Sequence, residues 1–235
     1  MNKSTVKEIK ERFDNDVERF SNLDTGQVAT IDAKISLELL TETSKRITPN
    51  AKNLLDIGCG AGNYSLNMLT KIADLNCTLV DLSEPMLDKA KERVSAKTNN
   101  KVEIIQGDIR EVGLKENSFD IILAGAVLHH LRDDSDWETT FDKLYSLLKP
   151  GGCLMISDLI TQETNAVNEY TWERYGDYLE SIDGKEYRKK VLDYVEKEDS
   201  PRSMTYQLEL MKKVGFKKTE ILHKNMCFGA FGGIK

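Results

Sequence analysis

Leu54-Leu55-Asp56-Ile57-Gly58-Cys59-Gly60-Ala61-Gly62-Asn63-Tyr64 is the stretch whose reading decides the fold. A short apolar run ends in an acidic residue, three glycines follow at alternate positions, and a helix-like run begins near Asn63. A buried strand feeding a tight turn and a helix N-terminus reads this way. Glycine admits positive φ and lets a ligand come close to bare main chain. Free N–H groups at the helix start favour a carboxylate or phosphate. A dinucleotide loop, G-x-G-x-x-G, needs glycine at position 63. Asn63 stands there instead, and the extra glycine falls at Gly62. A glycine-rich turn with no ligand would look the same in isolation, so the rest of the chain has to decide.

Working outward, strands and helices alternate. The strand Asn53–Ile57 leads into a helix from Asn63 to Ile72. Cys77–Asp81 precedes a helix from Glu84 to Ala96 with Ser83 as N-cap, and Val102–Gln106 reaches Gly107-Asp108-Ile109. Phe119–Ala124, a helix Trp137–Leu148 ended by Lys149-Pro150-Gly151-Gly152, and Cys153–Ser157 continue the rhythm. Such alternation predicts a doubly wound, mostly parallel sheet with helices on both faces. Upstream, Lys3–Phe20 reads as one amphipathic helix and Ile31–Ile47 as a second, joined by a polar connector, Ser21–Gln27. Both helices are placed to pack on the core or to cover the mouth of a cleft. Thr161–Ser200 breaks the pattern with charge and aromatics, and reads as helices inserted over the sheet's carboxyl edge. Met204–Val214 reads as a helix, and Lys217–His223 with Met226–Gly232 as a closing antiparallel pair. The expected organisation is one domain over 1–235: N-terminal helices 1–50, a core 51–160, a helical lid insertion 161–200, and a final helix and strand pair 201–235.

Composition bounds the function. A chain of 235 residues suffices for one well-formed core. A net charge of −6 argues against broad binding to nucleic-acid backbones. No stretch approaches the roughly 18 apolar residues of a membrane span, and the first residues lack a signal peptide's apolar segment. The four cysteines (Cys59, Cys77, Cys153 and Cys227) are scattered, with no C-x-x-C pair or nearby histidine cluster. That pattern predicts reduced thiols in a cytoplasmic protein and no metal site.

Two acids close strands. Asp81 is placed to accept hydrogen bonds from both ribose hydroxyls of a nucleoside, although nicotinamide enzymes use the same device and a helix N-terminal charge would read alike. Asp108, after the third strand, can take an adenine amino group, with Ile109 and Leu82 sandwiching the ring. An ordinary turn would also carry Gly-Asp-Ile.

Taken in order, Asp56-x-Gly58-x-Gly60-x-Gly62, Val80-Asp81-Leu82-Ser83, Gly107-Asp108-Ile109, Phe119-Asp120-Ile121-Ile122-Leu123 with Leu128-His129-His130-Leu131, and Leu147-Leu148-Lys149-Pro150-Gly151-Gly152 resemble the class I S-adenosylmethionine (SAM) dependent methyltransferases. The likeness spans about Leu54 to Ile156, just under half the chain. It implies an α/β fold with a seven-stranded sheet in order 3-2-1-4-5-7-6, the last strand antiparallel. It implies SAM as cofactor, held by Asp56, Gly58, Cys59, Gly60, Asn63, Asp81, Leu82, Met86, Asp108, Ile109 and Ala124. The flanks resemble the subgroup around carboxy-SAM synthase of wobble-uridine modification, through Phe13-Asp14, Gly107-Asp108-Ile109-Arg110 and a G-F…F-G tail. That synthase holds its extra carboxylate with an arginine, where ungapped alignment on Val214-Gly215-Phe216 puts Leu192 here, near Arg188, Lys189 and Lys190.

In-line methyl transfer needs alignment in a dry cleft more than covalent help, and a base only for a protonated nucleophile. His129, just past the fourth strand, is the candidate base. His130, Asp158, Trp172 and Tyr175 are candidate contacts to the acceptor. Each also has a plain structural reading, as a hydrogen-bonded histidine, a strand-end acid or a packed aromatic. There is no Asn-Pro-Pro-Tyr type segment to grip a nucleic-acid base. The expectation is therefore methyl transfer from SAM to a small molecule, with no nucleic-acid or membrane partner, by a chain compatible with a homodimer. A tRNA-pathway enzyme (nucleoside methyltransferase or carboxy-SAM synthase) and a non-catalytic SAM-binding regulatory subunit are the alternatives.

Overall fold

The computed structural model describes residues 3–22 and 26–235. Its seven strands are β1 (Asn53–Ile57), β2 (Asn76–Asp81), β3 (Val102–Gln106), β4 (Phe119–Gly125), β5 (Leu148–Leu159), β6 (Lys218–Asn225) and β7 (Phe228–Ile234). They form one sheet in the order β3-β2-β1-β4-β5-β7-β6. All pairs from β3 to β5 are parallel, whereas β7 runs antiparallel to both β5 and β6. Order and direction are those expected.

Successive side chains on a strand point to opposite faces. On β1, Leu54 therefore joins a core with Leu37, Leu40, Met68 and Leu87. Leu55 and Ile57 join another with Trp137, Phe141, Leu144 and Met211. The first face carries α3 (Ala33–Ile47), α4 (Asn63–Lys71) and α5 (Glu84–Ser95). The second carries α6 (Asp134–Leu147) and α8 (Met204–Val214). Burial on both faces explains why these strands read as near-continuous apolar runs. Among the described residues no helix is long and apolar enough to cross a membrane.

Several boundaries differ from the sequence reading, each for a local reason. The N-terminal helix breaks into α1 (Val6–Asp14) and α2 (Val17–Ser21). Asn15 caps α1 and its side chain donates to the Glu11 carbonyl at 2.7 Å, the local competition that makes Asn and Asp poor helix interiors. The connector at Ser21–Gln27 includes residues 23–25, which lie outside the described residues. α6 starts earlier than expected, because Asp133 accepts the Asp136 N–H over a first turn with no apolar signal before Trp137. β5 starts at Leu148, so Lys149-Pro150-Gly151-Gly152 belongs to the strand.

The 161–200 segment is mostly α7 (Asn165–Glu198), whose Asp183 and Gly184 are non-helical, Gly184 with φ +76°. Arg188 bonds Asp177 at 3.1 Å. Eleven residues of straight helix span about 16 Å, so the two halves fold back on each other at that kink. Ser4, at 4% exposure, accepts from the Arg132 guanidinium through its carbonyl, and Arg12 pairs with Glu198 at 3.0 Å. The start of the chain is thereby clamped against the end of α7.

Candidate active site

The carboxyl ends of β1 to β4 open into two adjoining cavities. They share Ile9, Gly58, Asp81, Leu82, Val127 and His130. Asp108, Ile109 and Arg110 extend the first; Cys59, Gly60, Asn63, Tyr64, Met86 and Gly125 extend the second. Ile9 and Phe13 of α1 and Phe20 of α2 close the second from the N-terminal side.

The loop after β1 needs its glycines. Gly58 has φ +58°, and a Cβ there would come within 2.4 Å of Val127. Gly60 has φ +50°, and nothing lies within 4 Å of where its Cβ would be, so its bare face borders open space. Its N–H donates to Asp81 Oδ2 at 2.8 Å, and the Ser83 N–H donates to Oδ1 at 2.9 Å. Each oxygen of a carboxylate can accept twice, so Asp81, which also meets the Leu82 N–H, keeps acceptor capacity beside both cavities. Burial pushes its pKa up, partly offset by these N–H donors.

Asp108 is gripped by Arg110 through Nε (3.0 Å) and Nη2 (2.6 Å), and Arg110 passes on to Asp136 at 2.7 Å. Burial would raise the Asp108 carboxyl, but Arg110 outweighs it and holds the pKa below the usual carboxylate value. Asn63 is a brace: it donates to the Phe20 carbonyl at 2.9 Å and accepts from Arg93 at 3.0 Å, tying α2 to the loop.

The structure moves other expected residues away from the cavities. Asp56 lies beneath the loop, 1% exposed, and accepts the Ser65 hydroxyl at 2.7 Å and N–H at 3.1 Å. Burial pushes its pKa up to about 7. Ala124 is fully buried within the sheet, and Gly125 and Ala126 line the wall instead. Asp158 also lies inside, because its acceptor positions are taken by the N–H groups of Leu128, His129 and Leu159 and by His129 Nδ1. Tyr175 is 2% exposed, its hydroxyl donating to the Ala29 carbonyl at 3.0 Å and its ring edge-on to Phe228. Trp172 packs at 5.8 Å from that ring. Both aromatics belong to a satellite core under α7, because their shared helix face meets Ile31, Leu159 and Cys227 rather than the cleft.

The two histidines separate. His129 lines neither cavity; its Nδ1 faces Asp158, and its Nε2 lies 3.6 Å from Asp199. Burial alone would lower its pKa, but Asp158 and Asp199 together raise it to about 9. His130 lines both cavities, and burial with the neighbouring His129 depresses it well below the ordinary value. Sequence reasoning missed Tyr64, which sits against Gly125 and bonds Ser157, and Asp199, far along the chain from the histidines. Tyr64 was detectable as the residue that follows the glycine loop; Asp199 carried no local signal.

Comparison with known proteins fits this geometry. Residues 54–152 match a family model described as a methyltransferase domain. The chain is 29% identical over 196 residues to carboxy-S-adenosyl-L-methionine synthase of Vibrio atlanticus, covering 82% of this chain and 80% of that protein. It is 29% identical over 194 residues to demethylmenaquinone methyltransferase of Listeria monocytogenes, covering 80% of each. Human N-acetylserotonin methyltransferase, solved in complex with SAM, superposes with a TM-score of 0.61 at 17% identity. That match covers 96% of this chain but 56% of the human one, so the likeness there is one of fold.

Proposed function

We propose that the chain is a class I SAM-dependent methyltransferase, which transfers the methyl group of SAM to a small-molecule acceptor held under α1 and α2. Bound SAM supplies a methyl group on a sulfonium, which an acceptor lone pair takes in line while the C–S electron pair stays on sulfur. The chain's own residues fit such a cofactor. Asp81 would accept the two ribose hydroxyls with the acceptor positions that Gly60 and Ser83 leave free. Asp108 would accept the adenine amino group, and Leu82 and Ile109 would flank the ring. Gly58 and Gly60 would let the methionyl end approach bare main chain, with Asp56 holding the loop to α4 through Ser65.

The acceptor end falls to residues the core motifs do not include. Phe13, Phe20, Tyr64 and His130 bound the second cavity opposite Asp81. Their apolar bulk would exclude water, which strengthens every polar contact within and keeps the donor aligned. The buried free cysteines support a cytoplasmic place of work.

The observation that carries this reading is the pinning of Asp81 by Gly60 and Ser83 at the wall of both cavities. Mass spectrometry of ligand retained on the purified chain, followed by a metabolite screen with methyl-labelled SAM, tests it. Retained SAM or its demethylated product, with label appearing on a small molecule, is the expected result. A chain that binds neither overturns the reading.

A further inference from the structure

Behind the cavity wall, three ligand-type groups converge from distant parts of the chain. His129 and His130 lie in the turn Leu128–His130 after β4, and Asp199 caps the end of α7. The Ser200 N–H donates to the His129 carbonyl at 2.7 Å and fixes the two segments together. Asp199 Oδ1 lies 3.6 Å from His129 Nε2 and 3.4 Å from His130 Nδ1, and one ligand atom from each residue fits within a 4.8 Å group. Zinc bonds to nitrogen and carboxylate oxygen of about 2.0–2.1 Å set tetrahedral ligand edges of about 3.3–3.4 Å. The cluster is close to that size before any adjustment.

Two further observations point to a cation. Asp199 is 4% exposed, yet its Oδ1 has no hydrogen-bond partner among the described residues, and the buried ring of His130 meets only the Glu198 main chain, with no well-formed bond at either nitrogen. Buried polar atoms are rarely left in that state, and an ion is one of the recognised reasons. His129 is also arranged as metal-binding histidines are: Nδ1 faces the Asp158 carboxylate, which leaves Nε2 free to ligate. The nearby cations have other partners. Arg12 is held by the Glu198 carboxylate and the Tyr194 hydroxyl, and Arg132 by the carbonyls of Glu198 and Ser4.

We propose that His129 Nε2, His130 Nδ1 and Asp199 Oδ1 form a buried site for a divalent first-row transition ion such as zinc. Two imidazoles and one carboxylate suit zinc or ferrous iron rather than magnesium or calcium, which prefer all-oxygen shells. His130 lines both cavities, so an ion held behind it would fix the orientation of that wall of the cleft, where the acceptor is proposed to lie. That use of the ion rests on the methyltransferase reading; its binding does not.

The test is titration of chelator-stripped protein with Zn²⁺ by calorimetry and with Co²⁺ by visible absorption. One equivalent should bind, and cobalt should show the intense bands of a four- or five-coordinate ion. Asp199→Asn and His130→Gln should each weaken Zn²⁺ binding about tenfold or more, whereas His223→Gln, at a histidine paired with Asp32 elsewhere, should not. His130→Cys should add a thiolate-to-cobalt charge-transfer band, which a merely structural histidine position cannot produce. SAM titration of the same metal-free samples reports folding and cofactor binding separately. SAM binding without saturable metal binding, or metal binding that survives both ligand variants, overturns the inference and leaves the methyltransferase reading standing.

Discussion

Replacing Asp81 by alanine should separate cofactor recognition from folding. In the intact chain its two oxygens each accept one main-chain N–H, from Gly60 at 2.8 Å and from Ser83 at 2.9 Å. The positions left over are those assigned to the ribose. Hydrogen bonds to a charged acceptor are worth about 1.5–3 kcal/mol each. Water re-entering the cleft recovers part of that, so the loss for the pair is about 2–4 kcal/mol. This corresponds to a rise in the Kd for SAM of roughly 30- to 1000-fold. The cost to the empty protein is smaller. The freed Gly60 N–H borders the second cavity, where water can satisfy it, whereas Ser83 is fully buried, so stability should fall by about 1–3 kcal/mol. Asp81→Asn should behave almost as alanine does, since an amide oxygen can serve one N–H while its NH₂ opposes the other. Calorimetry with SAM and thermal melting without it, on the same preparations, give both quantities. A Kd within threefold of the parent would refute the ribose assignment, and loss of the folded state in both variants would make Asp81 a structural acid.

Three other outcomes follow from the same geometry. SAM affinity should decline as pH falls, starting above the ordinary carboxylate range, because burial raises Asp81 and only its ionised form accepts both hydroxyls; an affinity flat from pH 8 to about 5 would contradict this. Asp56, raised to about 7 by burial, holds its proton more firmly folded than unfolded. Its contribution to stability is therefore complete below about pH 4 and is lost as pH rises through about 7, by at most about 1.4 kcal/mol per unit. Asp56→Asn should remove that slope while keeping an acceptor for Ser65, and denaturant melts at several pH values check it. Tyr175→Ala should cost about 3–5 kcal/mol of stability and leave the Kd for SAM within about threefold, whereas Tyr175→Phe should cost only about 1 kcal/mol for the bond to Ala29; SAM binding lost at normal stability would return Tyr175 to the cleft.

What the sequence made legible was whatever is encoded locally. Leu54–Gly62 carries its own strand, turn and glycines, and Asp81 and Asp108 close strands whose apolar runs are visible, so the strands and one wall of the cleft are legible, while the sheet order came from the resemblance those motifs carry. Asp56 was read as a contact because a loop acid and a buried acid beneath the loop look identical in one dimension; only its bond to Ser65 separates them. Trp172 and Tyr175 share a helix face as their spacing requires, but which neighbour that face meets depends on the fold-back at Gly184. His129 and His130 could not be told apart, since adjacent residues in a turn point different ways and the turn's geometry is set by Asp158 from β5.

The unread part has a common cause. The side we assign to the acceptor is assembled from α1, α2 and the turn after β4, braced from behind by the end of α7, segments that meet only in three dimensions. Their meeting is enforced by long-range ties: Arg12 to Glu198 and Tyr194, Arg132 to the carbonyls of Ser4 and Glu198, and Ser200 to His129. Substituting any one of these residues would loosen the wall opposite Asp81 without touching the loop that faces the donor. The two sides of the cleft are therefore separable, with the donor side dictated by short sequence patterns and the acceptor side by where the flanks come to rest. Differences in acceptor among chains with the same core should then track the flanks, and a flank change should alter acceptor turnover before it alters affinity for SAM.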